Sequence, residues 1–92
     1  MITDMELIKK PMAIDLMIRI AASEGQTKTE IMRGYPDMVT RTIHYRLCEM
    51  VDLGWIEYRD DSDCSRRIFP TSKGEYIHDT MKELLDEVEA LE

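Results

Sequence analysis

Five hydrogen-bonding side chains crowd into one short stretch of this sequence: Thr40, Arg41, Thr42, His44 and Tyr45. Arginine carries a fork of donors that matches paired acceptors such as guanine O6 and N7. Threonine, histidine and tyrosine can meet base edges or phosphates. A second basic group, Arg59, Arg66 and Arg67, flanks a polar turn. Catalytic and metal chemistry find no comparable grouping. Cys48 and Cys64 lack metal-ligand spacing, and His44 and His78 have no ligand-spaced partners. The carboxylates are many but gather on a terminal segment that reads as a solvated helix. Neither an enzyme nor a cofactor is expected. Cys64 stands near Arg66 but also near Asp61 and Asp63, a poor setting for a reactive thiolate. Cys48 is expected to pack, and the eight methionines read as adaptable core filler.

The elements that must carry these residues fit in one domain. Ninety-two residues, 43% of them hydrophobic, support a single small core, and dimerisation would supplement it. The formal charge of −7 is wrong for a generic polyanion binder, but it is unevenly spread. From Ser72 onward seven acids face two lysines, a net of −5. Residues 1–71 hold twelve acids and ten bases, a net of −2. Lys28 to Arg46 is net +2, with Lys28, Arg33, Arg41 and Arg46 against Glu30 and Asp37. The longest apolar run, Met12 to Ala22, is broken by Asp15 and Arg19 and cannot span a membrane. No signal peptide is visible, so a cytoplasmic protein with free thiols is expected.

Thr3 and Glu6 have capping-box spacing, which predicts a short helical turn over Asp4 to Lys9. Pro11 suits the first turn of a helix running to about Ser23, ended by Gly25. Thr27 and Glu30 repeat the capping box, with Gly34 as a left-handed stop and Pro36 forbidding continuation. Thr40 to Leu53 reads as an amphipathic helix that buries Ile43, Leu47 and Met50, with Val51 and Leu53 nearby and Asp37 or Thr40 as cap. Residues Gly54 to Arg59 and Ser65 to Thr71 read as two strands around the turn Asp60 to Cys64. The last helix, about Ser72 to Leu91, carries Ile77, Met81, Leu84, Val88 and Leu91 at alternating spacings of four and three, a heptad seam. Ile2, Met5, Leu7 and Ile8 are candidates to join that seam in a dimer.

Helix, turn, helix and hairpin is the order of a winged helix-turn-helix. Three stretches carry a closer resemblance: Lys10 to Met17, Ile43 to Ile56, and Arg67 to Gly74. With these the chain resembles the small winged-helix transcriptional regulators of the MarR-like and PadR-like group, especially short archaeal or viral versions. Asp63 and Arg66 stand near that group's acid–basic pair, and Pro70 stands where leucine is usual. The resemblance implies a mainly α fold with a small β-hairpin. Residues 1–71 would form an N-terminal extension and winged helix, and residues 72–92 a terminal dimerisation helix.

It also implies a homodimer that binds double-stranded DNA, with the Thr40–Leu53 helix in the major groove and the wing on the backbone. Lys28, Thr40, Arg41, Thr42, His44, Tyr45, Arg66 and Arg67 would then touch DNA. Ile77, Met81, Leu84, Val88 and Leu91 would form the dimer interface. Cys48 would share the outward side, and Arg46 would lie at the core edge and pair with an acid or one phosphate. The extra helices that build an effector pocket are lacking, so the resemblance leaves a small-molecule effector open. The alternative is a winged-helix protein-interaction adaptor that does not bind DNA. The two differ in whether Lys28, Arg33, Arg41, Arg66 and Arg67 form one positive stripe free of acids.

Overall fold

The computed structural model describes residues 2–63 and 65–92; the reading of Cys64 as a non-reactive thiol lies outside them. The chain opens with α1 (Asp4–Lys9), held by the reciprocal box between Thr3 and Glu6. Lys10 is extended and Met12 takes a left-handed φ of 69°, so α2 (Ala13–Ala22) starts two residues later than Pro11 suggests. Gly25, at φ 86°, turns the chain into β1 (Gln26–Thr27). Thr27 is also the N-cap of α3 (Lys28–Met32), where its hydroxyl accepts from Glu30 N and Glu30 caps in return.

Gly34 does not have the expected left-handed conformation; positive φ among the glycines belongs to Gly25 and Gly54. It makes room instead, since a Cβ there would meet the Arg19 guanidinium. After Pro36 a single 3-10 turn, Asp37–Val39, feeds α4 (Thr40–Asp52). The α4 N-cap is Val39 without a side-chain bond, so neither Asp37 nor Thr40 caps this helix.

Strands β2 (Ile56–Asp60) and β3 (Arg66–Pro70) form the expected antiparallel hairpin, with Tyr58 opposite Ile68. The sheet has a third member, because β1 pairs with β3 through Gln26 opposite Ile68 and gives the order β1-β3-β2. Two residues, the first after a turn glycine and the second itself a helix cap, leave no alternation to read, which is why the sequence does not announce β1. The terminal helix is α5 (Ser72–Ala90), capped by the Thr71 hydroxyl on Gly74 N.

One core joins these elements: Leu7 from α1, Ala13, Leu16, Met17 and Ile20 from α2, Ile31 from α3, Ile43, Leu47 and Met50 from α4, then Trp55, Ile56 and Ile68. Leu7 is fully buried and therefore cannot belong to a dimer surface, whereas Met5 is exposed. Val51 is exposed too, while Leu53 packs on the core. The methionines divide in the same way: Met17 and Met50 are core, but Met5 and Met38 face solvent.

Trp55 is the junction. Its N–H donates to Met50 O at 2.8 Å, which ends α4. Its carbonyl accepts from Thr71 N at 3.0 Å and from the Thr71 hydroxyl at 3.1 Å, which starts α5. Its indole N–H donates to Asp4 at 2.8 Å. That bond, together with Lys73, holds the Asp4 carboxyl below its ordinary pKa. A Cβ on Gly74 would lie 1.9 Å from Trp55 O, a backbone atom that cannot swing away.

Gly74→Ala should therefore cost about 1–3 kcal/mol through overpacking. Gly54→Ala has open space around its Cβ and only the positive φ to resist, and should cost about 1 kcal/mol. Urea unfolding of both variants checks the order; equal losses would mean that the Trp55–Gly74 contact relaxes freely.

Candidate nucleic-acid interface

The inward side of α4 is set by Ile43, Leu47 and Met50, all buried, so helical geometry turns Arg41, Tyr45 and Cys48 outward. The start of α3 lies beside this face. Lys28, Thr29 and Met32 join Asp37, Met38, Thr40, Arg41, His44 and Tyr45 around one open depression. Five of the expected contact residues are thus brought together: Lys28, Thr40, Arg41, His44 and Tyr45. Thr42 is not among the lining residues. It is half-buried and shares its side of the helix with Arg46 and Glu49.

Within the depression Lys28 Nζ donates to His44 Nδ1. His44 Nε2 then faces Cys48 Sγ at 3.7 Å, and its ring stands 5.9 Å from that of Tyr45. Cys48 does not pack as expected: it is exposed, one turn beyond His44. Arg46 does take an acid partner. Its Nη1 lies 2.6 Å from Glu49, and its Nε donates to Pro11 O at 2.9 Å. Lys10 binds the same carboxylate. Burial pushes the Glu49 pKa up, but the two cations outweigh it and the net shift is downward. This triad locks α4 to the segment before α2.

The two wing arginines differ. Arg67 is heavily engaged: Nε donates to Asp61 at 2.8 Å and Nη1 to Gly25 O at 3.0 Å, with Glu30 at 3.6 Å and Asp63 at 3.8 Å. The Asp61 hydrogen bond heads the causes that raise its pKa. The acid–basic pair of the wing is therefore Asp61 and Asp63 with Arg67, not Asp63 with Arg66. As a DNA contact Arg67 is compromised, because its donors already serve to tie the hairpin to the start of α3. Arg66 is exposed, makes no ion pair with the described residues, and lies 4.5 Å from the Tyr58 ring centroid. Arg59 pairs with Glu57 and stacks on Phe69 at 4.3 Å.

The turn acids hold the loop as well. Asp61 accepts from Ser62 N at 2.7 Å and Asp63 from Ser65 N at 3.0 Å, and both carboxyls have lowered pKa values through these bonds and Arg67. The positive stripe is accordingly discontinuous: Lys28 and Arg41 share their depression with Asp37, and Arg67 is neutralised.

The seam on α5 has two different neighbours. Ile77 and Met81 border Ile14, Met17, Ile18 and Trp55 of the same chain, so the first half of the expected dimer seam covers the chain's own core. The second half is bare: Leu84, Leu85, Val88 and Leu91 are all exposed. No helix among the described residues is long and apolar enough to cross a membrane.

No protein-family model matches the sequence, and no curated protein matches it either. Solved structures do match. A possible HxlR family transcriptional factor from Thermoplasma volcanium superposes with a TM-score of 0.80 at 19% identity, over 98% of this chain and 82% of that one. The transcriptional regulator SlyA gives 0.77 at 15% identity, over 95% and 62%. Streptococcus pneumoniae FabT, solved in complex with DNA, gives 0.73 at 17% identity, over 89% and 59%. The chain spans about three-fifths of the latter two. The fold is the winged helix-turn-helix that these proteins share.

The exposed thiol offers a footprint of the α4 face. With Cys64→Ser in place, alkylation of Cys48 by iodoacetamide should slow several-fold when a duplex covers α4. Unchanged alkylation of a fully bound protein would mean that the face remains open.

Proposed function

We propose that this chain is a sequence-specific DNA-binding regulator of transcription that acts as a homodimer, with α4 in the major groove and the hairpin on the backbone. One observation carries the reading: Lys28, Arg41, His44 and Tyr45 converge on one exposed face at the N-terminal half of a helix whose other side is core. Arg41 is the candidate for bidentate guanine recognition, and Tyr45 for a base or phosphate contact. Lys28 and Arg66 would hold phosphates. That FabT was solved with DNA supports the reading by likeness of fold.

Few cations are free to contribute. Lys28, Arg41 and Arg66 form no ion pair with the described residues, and Arg67 does. Lys28 and Arg66 give two phosphate contacts per protomer and four per dimer, so log K against log salt should fall with a slope of about −4. Arg41→Ala should weaken binding to the duplex enriched from a random pool by about 1–3 kcal/mol and relax the choice of base at one position. If no duplex is enriched at low salt, the adaptor reading replaces this one.

The dimer rests on the far end of α5. Nineteen residues make a helix about 28 Å long, and the half beyond Met81 has no cover from its own chain. A free end of this kind is marginal unless its apolar row, Leu84, Leu85, Val88 and Leu91, packs on a second copy. Leu84→Glu with Val88→Glu would bury like charges across the two-fold axis. Sedimentation should show a dimeric wild type at tens of micromolar and a monomeric double variant with much weaker operator affinity. A monomeric wild type would remove the dimer from the proposal.

A further inference from the structure

Met38 is 89% exposed, more than any other large apolar side chain among the described residues. It sits in the middle of the 3-10 turn Asp37–Val39, and the carbonyl before that turn, Pro36 O, accepts from Val39 N at 3.1 Å. The backbone is thus fixed while the side chain points into solvent. Met38 borders the same depression as Lys28, Arg41 and Tyr45. Arg41 and Tyr45 are one turn apart on α4, and Met38, in the turn just before that helix, lines the same depression at its entry.

We infer that Met38 reads the C5-methyl group of a thymine in the major groove, next to the base addressed by Arg41; this rests on the DNA-binding reading of the same face. Among the groups that base pairs present in the major groove, the thymine methyl is the one bulky apolar group; apart from small C–H edges such as cytosine C5–H, the others are hydrogen-bond donors or acceptors. Covering Met38 with a polar edge would strip water from that edge and return no hydrogen bond. A thymine methyl instead gives the thioether an apolar partner, and methionine is flexible enough to follow it. The flanking cations Lys28 and Arg41 suit a polyanion. The neighbouring Asp37 would be repelled by a phosphate, which turns this tip toward base edges rather than backbone.

The test begins with the duplex enriched by the wild-type protein from a random pool. Each thymine is replaced singly by deoxyuridine, which removes the methyl and keeps the pairing. One position per half-site should lose about three- to fivefold in wild-type affinity. Met38→Ala, which removes the contact from both half-sites of the dimer, should lose about ten- to twenty-five-fold on the unmodified duplex and nothing more on the uracil duplex, because the contact that the uracil lacks is already gone. Circular dichroism and melting of Met38→Ala confirm that it is folded. Enrichment without a uracil-sensitive position, or a position equally sensitive in Met38→Ala, overturns the Met38 assignment and leaves DNA binding intact. Absence of any enriched duplex overturns both, and Met38 then belongs to a protein-binding surface.

Discussion

The close approach of Gly74 to the Trp55 carbonyl is the constraint on which the rest of the molecule depends. That carbonyl accepts the Thr71 hydroxyl and amide while the N–H of the same residue donates to Met50 O, so the end of α4 and the start of α5 share one residue. The indole ring fills the core and sends its N–H to Asp4, which also binds Lys73, and Lys73 in turn donates to Leu53 O at 2.9 Å. Four segments, α1, α4, β2 and α5, are therefore positioned by one residue and its neighbours. Burying an indole supplies apolar area, and satisfying all three of its hydrogen-bonding groups avoids the penalty of a buried orphan. The direction of α4 relative to the wing follows from this junction.

Charge does two jobs in this chain, and net charge hides the distinction. Arg67, Asp61, Asp63 and Glu30 form a clamp that fastens the hairpin to the start of α3. Lys10, Arg46 and Glu49 form another that fastens α4 to the segment ahead of α2. The cations in both are spent on structure. What remains unpaired on the candidate face is small, so affinity on the proposed reading must come from geometry and from two copies acting together rather than from a basic surface. The acids of α5 lie mainly beyond the core on the protruding end, at positions such as Glu83, Asp86 and Glu87.

The sequence made regular features legible and hid the exceptions. Capping boxes at Thr3 and Thr27 involve side chains three residues apart, and both form as read. The inward face of α4 follows from spacing alone, because a helix fixes which positions share a side. The features that were missed need knowledge of a neighbour. Gly34 looks like a left-handed helix stop, yet its φ is not positive, and its neighbour is the Arg19 guanidinium from fifteen positions earlier. The seam on α5 is periodic throughout, but periodicity cannot say that Ile77 and Met81 meet their own core while Leu84 and Val88 meet none. Arg66 and Arg67 are adjacent and alike in sequence, and only the fold shows that one is clamped.

Met38 and Cys48 show the same limit at the candidate site. A methionine and a cysteine are statistically interior residues, so composition assigns both to packing. Here the core is complete without them: Ile43, Leu47 and Met50 occupy the inward positions of α4, and Ile31 closes the space from α3. An apolar side chain left outside a finished core gains nothing from folding. Its placement on a rigid turn, beside residues with base-reading chemistry, points to a partner that covers it. On the proposed reading the exposed apolar groups of this chain fall into two sets with two partners, Met38 toward a duplex and the end of α5 toward a second copy. The Trp55 junction, which sets α4 and α5 in their places, keeps the two sets apart.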